Sequence, residues 1–326
     1  MTGLLLASGV KPAPLELLRL ADAHASTRSL RNPTTHRRVR PGVYAARSAW
    51  DELAPWDRYL ARVHAYALIN PDAVFSDESA AALLGLPVFG EPRHLHLFDA
   101  KGSGARRYGD VVVHESVEAP DIETRGGLSV TSAARTAVTL MRRLAPPFAL
   151  AVGDAVISPR QGGTATVDDL RRMTATQTDT RGIRQLRLLL ETIDPRSESV
   201  GESIGRAVIV WSGFETPLLQ VEVVTDGIRD RVDYGWPGAG VLAESDGYGK
   251  YRLGTTEDSV RALIQEKQRE DRLRRRCRAF GRWDMAASIA VEPVVQELLR
   301  LGVPRITAPR WALLSGMRAS GSGWRR

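Results

Sequence analysis

Cysteine is almost missing: Cys277 is the single one in 326 residues. An intramolecular disulfide is therefore excluded, and no Cys/His cluster has zinc-binding spacing. A reducing cytoplasm fits that usage. Long apolar runs are missing too. "TGLLLASG" near the start has neither the charged beginning nor the apolar length of a secretory leader. Nothing approaches the roughly 20 apolar residues that cross a bilayer. A soluble, cytoplasmic chain with no membrane partner is expected. No G-x-x-x-x-G-K-[ST] occurs, and "GSGARRYG" has Arg107 where G-x-G-x-x-G needs its third glycine. It reads as a hairpin loop, and no nucleotide cofactor is expected. A serine-hydrolase elbow, G-x-S-x-G, is absent as well. Aromatic residues make up only 6%, and Trp211, Trp236 and Trp283 read as packing residues rather than base-stacking platforms.

What is present is an ordinary globular composition, 43% hydrophobic and 25% charged, long enough for about two or three domains. The net charge is +7 and the pI about 9.9, which permits a polyanionic partner without requiring one.

Along the chain, residues 1–50 read as a small unit. "APLELLRLADAH" sets Leu15, Leu18 and Ala21 on one helical stripe, and a second short helix is expected in "ASTRSLRN". "HRRVRPGVYAA" then reads as a basic hairpin carrying Arg37, Arg38 and Arg40. Helix, helix, basic hairpin is the order of a winged helix that contacts DNA, and a helical N-terminus with a solvated basic strand is the alternative. Residues 51–195 read as mixed α/β. A helix is predicted in "SDESAAALLG", starting at Ser76 or Asp77 and stopping at Gly85 before Pro87. Strands are predicted in "RHLHLF" and "GDVVVHES", and helices in "TSAARTAVTLMRRL", "FALAVGDAVI", "TVDDLRRM" and "GIRQLRLLLETI". His94 and His96 share a strand face, but with no acid beside them they are expected to face solvent. The polar "DPRSESVGES" suggests a boundary, after which residues 196–310 give the order α-β-β-β-α-β. Residues 311–326 form a basic tail. The class is α/β, α+β overall.

The stretch "RVDYGWPGAGVLAESDGYGKY", residues 231–251, carries the chemistry. If Pro237–Gly240 is a four-residue hairpin loop, Trp236 pairs with Val241 and Asp233 stands opposite Glu244. Directly opposed side chains lie about 4.5–5.5 Å apart, where like charges repel. Asp246, two residues on, shares that face. Three carboxylates on one face invite a cation, Mg²⁺ or Mn²⁺, which takes oxygen ligands and activates a water against a phosphodiester. Asp233 alone could instead pair with Arg231 or Arg252. Glu244 lies on a strand that should be buried, where a carboxylate needs a partner. The helix over residues 256–276 carries Lys267, Arg272 and Arg276, which suit phosphate contacts, although Glu266 and Glu270 make part of it an ion-paired surface.

The block "SESVGES…GFETPLLQVEV…RVDYGWPGAGVLAESDGYGKY…EKQREDRLRR" resembles the DUF559-type domains of the Vsr-related PD-(D/E)xK nuclease superfamily. "RRVRPGVYAA" and "SDESAAALLGLPVFG" resemble AbiEi-type antitoxin and transcriptional-regulator domains. The resemblance implies an N-terminal winged helix, an AbiEi-like middle region and a restriction-endonuclease-like αβββαβ core. It implies Asp233 and Glu244 as metal ligands, with Glu202 as an accessory acid. Asp246 stands where the superfamily usually has Lys, so Lys250, or Lys267 on the next helix, would have to supply that charge. The activity implied is Mg²⁺-dependent hydrolysis of DNA. The alternative is a non-catalytic DNA-binding regulator or antitoxin with a cognate toxin as partner.

Overall fold

The computed structural model describes residues 9–22, 27–99, 102, 104–116, 118, 121–246 and 257–317. Lys250 and residues 318–326 of the expected tail lie outside them, while residues 311–317 of that tail are folded, with Leu314 and Met317 buried. The chain divides into two compact units, one of residues 1–144, 159–191 and 321–326, the other of 145–158 and 192–320.

In the first unit, β1 (Leu18–Arg19), α1 (Thr27–Leu30), β2 (His36–Arg40) and β3 (Val43–Ala46) come first. The three strands form a sheet in the order β1-β3-β2. The first predicted helix is not there. Leu18 and Arg19 pair with Tyr44 and Val43, and a short 3-10 turn follows at Leu20–Asp22. Leu15 and Leu17, two residues apart, both pack on Ala45, Trp50 and Ala61. That spacing of two suits extended chain and overrides the helical stripe. The basic hairpin forms as predicted, with β2 at the sheet edge.

Next come α2 (Arg47–Asp51), α3 (Pro55–Ile69), β4 (Val74–Phe75), α4 (Asp77–Leu84), β5 (Leu95–Phe98), β6 (Arg106–Tyr108), β7 (Val111–His114), β8 (Ile122–Arg125), β9 (Leu128–Thr131) and α5 (Ala133–Arg143). Proline at the first turn starts α3. Its stripe of Tyr59, Leu60, Val63, Tyr66 and Ala67 packs into the main core with Phe75, Leu83, Leu95 and Val113. The strands make one six-stranded sheet ordered β6-β7-β5-β4-β9-β8, with β5 and β7 parallel. Arg106–Tyr108, read from sequence as loop, pairs with β7 as an edge strand. The β8–β9 hairpin turns at Gly126 and Gly127, both at positive φ, as a two-residue primed turn requires. The Gly-Gly pair of "RGGL" is the local signal for this hairpin.

Helix α6 (Pro146–Ile157) belongs to the second unit, although its position in the chain groups it with the middle region. The reason is physical. Residues 147–157 are all buried, so this helix needs apolar surroundings on every side. Arg206 Nη2 also donates to both oxygens of Asp154, at 2.7 and 2.8 Å, with both side chains buried. The first unit resumes with α7 (Val167–Thr176) and α8 (Ile183–Thr192), α7 being closed by a Thr166/Asp169 capping box.

The second unit continues with α9 (Val200–Trp211), β10 (Leu218–Thr225), β11 (Ile228–Trp236), β12 (Val241–Asp246), α10 (Glu257–Arg274), β13 (Ala279–Asp284), α11 (Met285–Ala290), α12 (Glu292–Leu301) and α13 (Trp311–Leu314). From α9 to β13 this is the predicted α-β-β-β-α-β order. The sheet runs β10-β11-β12-β13, antiparallel except for the parallel pair β12–β13. Trp211, Trp236 and Trp283 are buried, as expected. No helix is long and apolar enough to cross a membrane among the described residues.

Candidate functional sites

The hairpin register holds as predicted: Trp236 pairs with Val241, Gly235 with Leu242 and Tyr234 with Ala243. The next step of the ladder does not bring two free carboxylates together. Asp233 turns its Oδ2 onto the backbone N–H of Ser245, at 2.8 Å. Glu244 is buried, and each of its oxygens accepts from an arginine. Arg269 of α10 bonds Oε1, and Arg282 of β13 bonds Oε2 at 2.7 Å. Arg282 lies directly beside Glu244 in the parallel register. It also bonds Glu266 and Glu270 and lies 3.5 Å from Asp246 Oδ1. These acids surround a guanidinium, which corrects the expectation that Asp233, Glu244 and Asp246 converge on Mg²⁺ or Mn²⁺. Burial accounts for the difference: the strand shields Glu244 from water, and arginine supplies the charge and donors it needs.

Glu202 stands in the first turn of α9, where Ser199 caps the helix by accepting from its N–H at 3.2 Å. Its Oε2 accepts from Glu198 N at 2.8 Å and Gln220 Nε2 at 2.7 Å. Gln220 reaches it from a left-handed backbone position, φ +54°. Burial pushes the Glu202 carboxyl above its ordinary range, against the pull of those hydrogen bonds. Glu202 is thus held by the fold.

The residues expected to meet nucleic acid divide. Arg37 and Arg38 are exposed on the edge strand β2, Arg37 over the Trp50 ring. Arg40 makes a two-pronged pair with Asp110, at 2.8 and 2.9 Å. Arg272 does the same with Asp230, at 2.8 Å for both bonds. Those two arginines are already paired with carboxylates, which withdraws them from a phosphate-binding set. Lys267 and Arg276 are exposed, and Arg276 Nε donates to Thr225 Oγ1 at 3.3 Å.

A second constellation was not expected. Asp77, His96 and His114 bring three potential ligand atoms together, the only such group of three or more among the described residues. His96 Nδ1 and His114 Nε2 are 2.8 Å apart, and Asp77 Oδ2 lies 3.1 Å from His114 Nε2 and 3.7 Å from His96 Nδ1. His96 is largely buried, which corrects its expected exposure to solvent. Burial lowers the pKa of both imidazoles, outweighing the upward pull of Asp77, so both are neutral at neutral pH. Asp77 stands at φ +46°, a left-handed conformation that aspartate tolerates better than most residues. Arg143 bonds its Oδ2. The acid that makes His96 meaningful comes from α4, and the second imidazole from β7, which lies beside β5.

No family model matches the chain. Over 210 residues it is 32% identical to the uncharacterized protein Rv2248 of Mycobacterium tuberculosis strain H37Rv, an alignment covering 64% of this chain and 72% of that protein. The uncharacterized protein MT2308 of strain CDC 1551 / Oshkosh gives the same identity and coverage. The chain belongs to the family of these two mycobacterial proteins. That family assignment carries no activity with it.

Proposed function

We propose that the protein is a DNA-associated regulator whose αβββαβ domain does not hydrolyse DNA. The observation that carries this reading is the clamp on Glu244. A carboxylate with both oxygens bonded to arginines has its charge balanced without a metal, and the nearby guanidinium of Arg282 would repel a divalent cation. The DNA contact falls to the N-terminal hairpin. Arg37 and Arg38 are adjacent on β2, so they project to opposite faces of the ribbon. A ribbon lying along a groove would direct them to the two flanking phosphate ridges. The overall charge of +7 favours the same partner. The AbiEi-like words in the N-terminal half and the nuclease-like order of the second unit fit a regulator of this type, built on a nuclease scaffold.

Fluorescence anisotropy of a labelled duplex, read across a series of salt concentrations, tests it. Each phosphate contact contributes about 0.9 to the slope of log K against log salt. Arg37→Ala/Arg38→Ala should therefore flatten the slope by about 1.8. An unchanged slope would remove the hairpin from the interface. Phosphodiester hydrolysis is the competing reading, favoured by the acids Asp233 and Glu244 on the neighbouring strands β11 and β12 and opposed by the arginines.

A further inference from the structure

The first unit holds a second chemistry, independent of any DNA contact. We propose that Asp77, His96 and His114 bind a divalent transition-metal ion of the zinc class, with a remaining position open to solvent or a small ligand. Two imidazole nitrogens and one carboxylate oxygen are the donors that such an ion takes, with bonds of about 2.0–2.2 Å. Three ligands at those lengths in a tetrahedron stand about 3.3 Å from one another, and the observed separations of 2.8, 3.1 and 3.7 Å bracket that value.

The second acid of α4 points the same way. A metal on Nδ1 of His96 fixes the remaining ring proton on Nε2, which faces Glu78 Oε2 at 3.4 Å. That carboxylate oxygen is buried and makes no hydrogen bond. A carboxylate behind a ligating histidine is the usual support for such a ligand.

Asp77 and His114 also line a cleft of about 640 Å³, with Ser76, Ser116 and Arg143 among its other walls. The open coordination position is therefore reachable. Arg143 bonds the Asp77 oxygen that the ion would take. Its side chain is 52% exposed, so it can leave, and it acts as a competitor for the site.

Calorimetric titration of the untagged full-length protein with Zn²⁺ is the test, with Co²⁺ absorption reporting four-coordinate geometry. One Zn²⁺ per chain is expected, not displaced by excess Mg²⁺. Asp77→Asn, His96→Gln and His114→Gln should each weaken binding more than the roughly 10–100-fold expected of Glu78→Gln. Arg143→Gln should tighten it, and Cys277→Ser, in the other unit, should leave it unchanged. Circular dichroism establishes that each variant is folded. Absence of stoichiometric Zn²⁺ binding by the folded wild type would overturn the proposal. So would wild-type affinity in the two histidine variants, or weaker binding after Arg143→Gln.

Discussion

Replacing Glu244 by glutamine separates two accounts of the acidic strand by the sign of a stability change. If Glu244 balances Arg269 and Arg282, the substitution leaves two guanidinium groups short of a counter-charge inside the second unit. Removing one partner of a fully buried pair costs about 3–5 kcal/mol. The two arginines are 23% and 25% exposed, and both keep a contact to Glu266. The expected loss is therefore smaller, about 2 kcal/mol. With a urea dependence of about 1–3 kcal/mol per molar, the unfolding midpoint should fall by about 1 M. Trp211, Trp236 and Trp283 are buried in that unit, so tryptophan fluorescence follows its melting once Trp50 and Trp56 of the first unit are replaced by phenylalanine in both proteins. Carboxylates that crowd one another in wait for a metal behave in the opposite way, since removing one relieves repulsion. A midpoint that stays or rises in metal-free buffer would refute the arginine clamp.

Asp154→Ala leaves Arg206 buried beside no counter-charge, and a loss of about 3–5 kcal/mol is expected; a urea midpoint within error of wild type would contradict the role given to that pair. Gly205→Ala would set a methyl group 2.6 Å from Tyr234 Oη and 3.0 Å from Trp283 Nε1. Tyr234 is fixed by its bond to Glu202 O, at 2.7 Å, so a cost of about 1–3 kcal/mol is expected, read as a lower melting temperature. Glu202→Gln should alter the pH profile of stability. Burial raises the native carboxyl above its ordinary value of 4.5, so on raising the pH the unfolded chain loses this proton first. The native state then holds more protons, and stability falls across that window. Glutamine cannot ionise, so the variant should lack this decline. Parallel profiles for the two proteins would contradict it.

Much of the second unit was legible because its signals are local. Pro237–Gly240 fixed the hairpin length, and the length fixed Trp236 against Val241. Helix α4 was legible from Ser76 at its start and Gly85 at its end. What decided the chemistry was not local. Arg282 stands beside Glu244 because β13 returns parallel to β12 after a long helix, and no short pattern sets that register. His96 and His114 meet because β7 lies beside β5 in parallel, with β6 on the far side of β7. The pairing of Leu18 and Arg19 with β3 likewise replaced a helical stripe by a tertiary contact.

The most direct measurement is conversion of supercoiled plasmid by the full-length protein in Mg²⁺, where a single nick changes gel mobility. Plasmid that stays supercoiled, in conditions where the duplex is bound, is the expected result. Mg²⁺-dependent nicking that disappears in both Asp233→Ala and Glu244→Ala would contradict it and make those acids catalytic.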